Sequence, residues 1–232
     1  HGRLRWVPSY LRRQGQMTPG QKRAFRDLWN IFGIEYRFGQ RIRIEDHFPD
    51  GGGRQFLEIG FGMGENLVHQ ARRHPDASIL GIEVHKPGLG AALKKIEEEK
   101  VENVRIMRGD ARLIQSDFIE AETRFDRVSL LFPDPWPEPG NQHRRIVQSD
   151  FVDLLEARIK TGGRWHFATD VMGYGEHCRH LMGDRTGWKK EEVFELADFR
   201  GPTRYEGRGI ARGHPVLDLL YRFGPPNEPS RR

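Results

Sequence analysis

Four acidic residues, Glu58, Glu83, Asp110 and Asp134, each fall at or near the end of a short apolar run, beside a turn rich in glycine or proline. Glu58 opens the first of these turns, LEIGFGMG (57–64). Its Gly60, Gly62 and Gly64 let the chain reverse sharply and bring backbone against a ligand. A dinucleotide site needs G-x-G-x-x-G. Here the third glycine comes one residue early, and the Glu58 carboxylate would repel a pyrophosphate. The same carboxylate attracts cations, so a ligand with an amino group and a sulfonium suits the turn better than a dinucleotide does.

Glu83 follows the glycine turn by roughly twenty residues, the place where an acid accepts the ribose hydroxyls of a nucleoside. Asp110 comes straight after Gly109 at the end of VRIMRG and can reach an adenine amino group. Together these acids read as a site for S-adenosylmethionine rather than NAD. Asp134 sits in LFPDPWP (131–137), where prolines at 133, 135 and 137 fix a rigid, non-helical loop. Trp136 in that loop offers a face on which a base can stack. The loop has a look-alike in the (Asn/Asp)-Pro-Pro-aromatic loop of DNA and RNA amino-methyltransferases, but here no two prolines are adjacent.

Strands and helices must alternate to bring such turns together. Apolar runs at 55–60, 78–84, 104–107, 125–132, 164–169 and 216–223 read as strands. Amphipathic stretches at 65–74, 88–99, about 145–160 and about 174–181 read as helices. That alternation predicts an α/β domain with a parallel sheet covered on both faces, which holds ligands at the carboxyl ends of its strands. Residues 1–53 read as a basic arm and a linker ending in Gly51–Gly53, 54–224 as the compact domain, and 225–232 as a polar tail.

Lys and Arg number 38 against 33 Asp and Glu, giving a net charge of +5 in a chain where arginine far outnumbers lysine. Guanidinium forks suit phosphate, so a polyanionic partner, nucleic acid, is expected. Cys178 is the single cysteine, which excludes an intrachain disulfide and points to a cytoplasmic location. No apolar run is long enough for a membrane helix, and the opening residues lack the apolar core of a signal peptide. The histidines show no zinc-ligand spacing, so no metal is expected; His166, in an apolar strand, reads as a core residue.

The motifs occur together in a recognisable order. RQGQMTPGQKRAF, LEIGFGMGENLV, LGIEVHKPGLGAAL, LLFPDPWP, HRRIVQ, GGRWHFATD and TRYEGRGIARGH span nearly the whole chain, and in them it resembles the bacterial tRNA (guanine-N7)-methyltransferase family. The resemblance implies a Rossmann-like class I methyltransferase fold, a mostly parallel seven-stranded sheet whose last strand is antiparallel. It implies methyl transfer from S-adenosylmethionine to N7 of guanine 46 in the variable loop of tRNA, leaving S-adenosylhomocysteine. It implies cofactor contacts from Glu58, Glu83, Asp110 and Asp134 beside Gly60, Gly62 and Gly64, with Asp134 catalytic. Substrate contacts are implied for Asp170, Thr203, Arg204, Tyr205 and Glu206. The chain departs from the family at Glu138, where a substrate-contacting lysine is usual. That contact is not carried over, and the phosphate grip is expected to fall on Arg144, Arg145 and the N-terminal arginines. No obligatory protein partner is evident, and a monomer or homodimer is expected.

The chemistry asks little of the protein. Guanine N7 carries an in-plane lone pair and no proton, so no base is needed before attack, and catalysis reduces to alignment and a nearby negative charge. TRYEGRGIARGH, with an aromatic, an acid and arginines, suits recognition of a flipped base and its phosphates. Two other classes stand as alternatives: a methyltransferase acting on an amine, and a silent RNA-binding relative. Retention of Glu58, Glu83 and Asp134 argues against the latter.

Overall fold

The computed structural model describes residues 8–10, 15–49, 53–192, 194–201 and 215–224. Seven strands form one sheet: β1 (Arg54–Ile59), β2 (Ala77–Glu83), β3 (Val104–Arg108), β4 (Phe125–Leu131), β5 (Ile159–Thr169), β6 (Trp188–Glu191) and β7 (Leu217–Phe223). The order across the sheet is β3-β2-β1-β4-β5-β7-β6. β1 to β5 pair in parallel, while β7 runs antiparallel to both β5 and β6. This is the Rossmann-like arrangement expected, with the antiparallel last strand in place. The order reverses between β1 and β4, and a crevice opens at such a switch point.

Helices cover both faces. α1 (Pro19–Phe32), α2 (Glu65–Arg73), α3 (Lys86–Glu99) and α7 (Leu196–Phe199) lie on one; the short α4 (Ala111–Leu113), α5 (Ser149–Arg158) and α6 (Met172–Gly183) lie on the other. β1 shows why both are needed, for every residue from Gln55 to Ile59 is buried, as in a central parallel strand. Phe56 packs under α2 and α3, while Leu57 and Ile59 join the opposite core with Phe151, Trp165 and Tyr174. Glu58 shares the face of Phe56 and so points towards α2. Among the described residues no helix is long and apolar enough to cross a membrane.

The structure departs from the sequence reading in three places. Much of the stretch expected to be arm and linker is packed on the sheet. α1 starts with a reciprocal capping box between Thr18 and Gln21 and docks on α3, so closely that a Cβ on Gly90 would meet Gln21 backbone oxygen at 2.9 Å. Ile34 and Ile44 are each 1% exposed, and the backbone of Ile34 bonds that of Ile106 at 2.8 Å. Second, residues 145–148 do not join helix α5, because Arg145 is tied to the preceding loop as described below. Third, β6 went unread: WKKE carries no apolar alternation because it is an edge strand, paired on one side only.

Candidate active site

A cleft of about 320 Å³ opens at the carboxyl ends of β1, β2 and β4, within the range that small-molecule sites occupy. Gly60, Gly62, Glu83, Asp110 and Asp134 all line it. Gly60 and Gly62 have φ of +68° and +58°, which glycine adopts without strain. A Cβ built on either would meet nothing within 4 Å, so the space over the turn is open. A nucleoside-bearing ligand fits such a cradle.

Glu83 anchors the turn from below. It is 7% exposed. Its Oε2 accepts from the backbone of Gly62 at 2.8 Å, and Oε1 accepts from Val84 and His85 at 2.7 and 2.8 Å. Burial pushes its carboxyl up from the ordinary range, and these three N–H groups oppose the rise. A carboxylate has about four acceptor positions. Three are used here, which leaves Oε2 room for a ribose hydroxyl. Asp110 takes the backbone N–H of Arg112 at 2.9 Å and caps α4, which fixes its carboxylate at the cleft edge.

Asp134 stands in a loop held by unusual backbone. Phe132 and Trp136 have φ of +50° and +42°, a left-handed conformation that is costly for bulky side chains. Three contacts hold the loop there. The Phe132 N–H donates to Ala168 of β5 at 2.8 Å. Arg145, only 3% exposed, donates to the Pro135 carbonyl at 2.9 Å and lies over the Tyr174 ring. Arg145 is therefore a brace for the loop and not a phosphate contact, contrary to the sequence reading. Trp136 is likewise corrected. It is 8% exposed, with the Arg144 guanidinium 3.7 Å from its ring centre, so that face is already covered and no base stacks there.

What Trp136 does hold is the N-terminal segment. Its Nε1 donates to the Ser9 carbonyl at 2.9 Å, and Arg144 donates to Pro8 at 3.4 Å. Ser9 and Tyr10 thereby line the cleft, a contribution the basic composition of that segment did not reveal. Trp136→Phe removes the donor and leaves a smaller aromatic ring beneath Arg144. With such a bond worth about 1 kcal/mol, cofactor affinity is expected to fall about fivefold, as read by calorimetric titration with S-adenosylhomocysteine. Unchanged affinity would show that Ser9 and Tyr10 do not cover the ligand.

The remaining candidates are either outside the lining of this cleft, as Glu58, Gly64 and Asp170 are, or outside the described residues. Glu58 is 4% exposed beneath α2, where its Oε2 accepts from Asn66 Nδ2 at 2.9 Å. Burial pushes its carboxyl up to about 8; the Asn66 bond opposes this, and the charges of Glu65 and Glu83 add to it. Gly64, at φ +82°, starts α2, and a Cβ there would sit 2.7 Å from that of Ala92. Its lack of a side chain lets α2 and α3 touch behind the turn. Gly64→Ala is expected to cost about 2–4 kcal/mol through strain and overpacking. That lowers the melting temperature by about 5–10 °C in a thermal melt. A shift under about a degree would remove Gly64 from this role. Asp170 follows β5 at the same edge of the sheet, outside the cleft lining. Thr203, Arg204, Tyr205 and Glu206 lie outside the described residues. Among the described residues no group of three or more His, Cys, Asp or Glu is placed to hold a metal.

Comparison with known proteins follows the same direction. Residues 53–219 match the family described as "Putative methyltransferase". The chain is 39% identical over 216 residues to a tRNA (guanine-N(7)-)-methyltransferase of Nitrosococcus oceani, covering 93% of this chain and 90% of that protein. It is 40% identical over 225 residues to the protein of the same name from Shewanella halifaxensis, covering 94% and 92%. Among solved structures, the 16S rRNA methyltransferase KamB superposes with a TM-score of 0.56 at 14% identity, over 83% of this chain and 100% of that one. At that identity the likeness shows the fold.

Proposed function

Since the chain belongs to the tRNA (guanine-N7)-methyltransferase family, we propose that it methylates N7 of guanine 46 in the variable loop of tRNA, with S-adenosylmethionine as donor. The observation that supports this most is the convergence of Glu83, Asp110 and Asp134 on one cleft over an open glycine turn at the switch point of the sheet. S-adenosylmethionine, when bound, supplies a methyl on a positively charged sulfur; the S–CH3 bond breaks as the N7–CH3 bond forms, and the positive charge passes to the purine.

The residues then divide the work. Glu83 accepts from the ribose, Asp110 takes the adenine amino group, and the backbone of Gly60 and Gly62 lets the ligand approach. Glu58 holds the amino group of the methionine portion. Asp134 places negative charge where the guanine becomes cationic, and its rigid loop means that little reorganisation is needed as charge develops. Asp170, Thr203, Arg204, Tyr205 and Glu206 hold the guanine, and the basic surface holds the phosphates. No group withdraws a proton, because N7 has none.

Incubation of the full chain with unmodified tRNA and isotopically labelled S-adenosylmethionine tests this directly. The label is expected in 7-methylguanosine at position 46. Label on an amine nitrogen, or at another position, would sink the reading.

A further inference from the structure

Phe38 is the most exposed large apolar side chain among the described residues, at 76%. A lone exposed ring needs no explanation in itself; the way this one is held does. It takes the second place of a turn in which the Gln40 N–H donates to the Arg37 carbonyl at 3.2 Å. Gly39 takes the third place at φ +82°, as a type II turn requires. The chain beyond the turn is tied down. The Ile42 N–H donates to the Phe118 carbonyl at 2.8 Å, the Glu120 N–H donates back to Ile42 at 3.0 Å, and Arg41 Nη1 donates to the Ile119 carbonyl at 2.8 Å. The Phe38 ring meets that of Phe118 at right angles, with centres 5.6 Å apart, and Phe118 packs on Tyr36 at 4.4 Å. Phe118 is only 3% exposed. Phe38 is thus an outer ring mounted on an aromatic pair, not a side chain loose in water.

This row of rings leads to the cleft. Tyr36 Oη donates to the Arg108 carbonyl at 2.8 Å and lies against Gly109, where no side chain would fit. Asp110, the next residue, lines the cleft, and Phe38 does not. The row therefore starts beside the cofactor site and ends outside it. Arg37, Arg41 and Arg108 accompany it, all three exposed. Elsewhere exposed arginines pair with acids, as Arg23 does with Glu97, Arg54 with Asp76 and Arg72 with Glu99. Among the described residues Arg41 gives its bond to a carbonyl instead, and neither it nor Arg37 nor Arg108 forms an ion pair. The carboxylates of Glu35 and Asp117 accept from Trp29 and Ser116 rather than from these guanidiniums.

An aromatic face set among guanidiniums that lack carboxylate partners suits an unstacked base and its flanking phosphates. The rigid mount adds to this, because little freedom is left to lose on binding. We infer that Phe38 is a second hold on tRNA: an unpaired base other than the reacting guanine stacks on its ring, and Arg37, Arg41 and Arg108 take the neighbouring phosphates. This rests on the reading above that the substrate is tRNA.

The test measures the Kd of unmodified tRNA for the full chain in wild type and in Phe38→Ala, Phe38→Leu and Phe38→Trp. Alanine and leucine are each expected to weaken tRNA about tenfold or more, the loss of one stacked base, while tryptophan stays within about twofold of wild type. Leucine keeps an apolar contact with Phe118, so it separates stacking from packing and carries the test if Phe38→Ala fails to fold. Arg37→Gln is expected to weaken tRNA and to lower the salt slope of its binding by about one. Affinity for S-adenosylhomocysteine should stay within about twofold in every variant, as for a contact outside the cleft. Leucine that binds tRNA as well as tryptophan does, or an alanine variant that binds it as wild type does, overturns the assignment. An alanine variant that changes the molecular mass in solution and keeps its tRNA affinity also overturns it, giving the ring to a contact between copies of the chain. Wild type that binds no tRNA fails the reading beneath as well. Wild type that binds tRNA through Phe38 but leaves N7 unmethylated fails that reading alone and leaves the platform in place.

Discussion

Asp134→Asn is expected to lower the single-turnover rate of methyl transfer by about 10²–10³-fold while leaving S-adenosylhomocysteine affinity within about threefold. The size follows from what a preorganised charge contributes when it acts on charge that develops in the transition state. Asparagine keeps the shape of the side chain and a hydrogen-bonding oxygen, so ground-state contacts change little. The negative charge opposite the forming guaninium is lost. The loop fixes the backbone that carries Asp134. Phe132 and Trp136 hold it from both sides at φ of +50° and +42°, with Arg145 locked to Pro135 at 2.9 Å. Single-turnover kinetics with excess enzyme isolate the chemical step, and calorimetry gives the affinity. A rate within a few fold of wild type would make Asp134 a loop residue only and move the search for the reacting centre elsewhere on the cleft.

That expectation was open to sequence reasoning because the signals behind it are local. A glycine turn after an apolar run, acids at strand ends and prolines around an aspartate each act through backbone geometry within a few residues, and the structure brings Glu83, Asp110 and Asp134 to one cleft. What escaped the sequence depends on partners distant in the chain. Trp136 looked available for stacking because nothing in FPDPW tells that Arg144 covers one face and Ser9 takes its N–H. Arg145 looked like a phosphate ligand because burial is invisible in a charged run. Ile34 and Ile44 lie in short alternating runs, FGIEYRF and RIRIE, whose apolar residues are masked by the charged ones between them, yet both are in the core. Asn66 gave no signal at all. Its burial is explained only by partners far apart in the chain, for its Nδ2 donates to Glu58 Oε2 and its Oδ1 accepts from the Gly201 backbone.

Glu58 carries the second large effect, and it shows what the site costs the fold. Burial raises its carboxyl from 4.5 to about 8. In the unfolded chain the group ionises near its ordinary value, so between roughly pH 4.5 and pH 8 the folded chain holds a proton that the unfolded chain has lost. The unfolded state binds fewer protons there, so stability falls as pH rises through that window. Across most of the shift this penalty reaches on the order of 4 kcal/mol near pH 7.5. Glu58→Gln removes the ionisation while keeping an oxygen for the Asn66 bond, at the expense of burying an amide worth about 1–3 kcal/mol if left unpaired. The cofactor-free variant is therefore expected to melt within about 2 °C of wild type at pH 5 and about 3–6 °C above it at pH 8. Its affinity for S-adenosylhomocysteine should fall about 30-fold or more at pH 8, because a charge-assisted bond to the amino group, worth about 2 kcal/mol, is lost. Melting curves at the two pH values and calorimetry at the higher one read both effects. A variant that melts in parallel with wild type at both pH values would show that Glu58 does not carry its proton into the neutral range. A variant that gains stability but keeps its affinity would show that the buried acid serves the α2 packing alone, and the amino group would then have to be sought at Glu83 or Asp134.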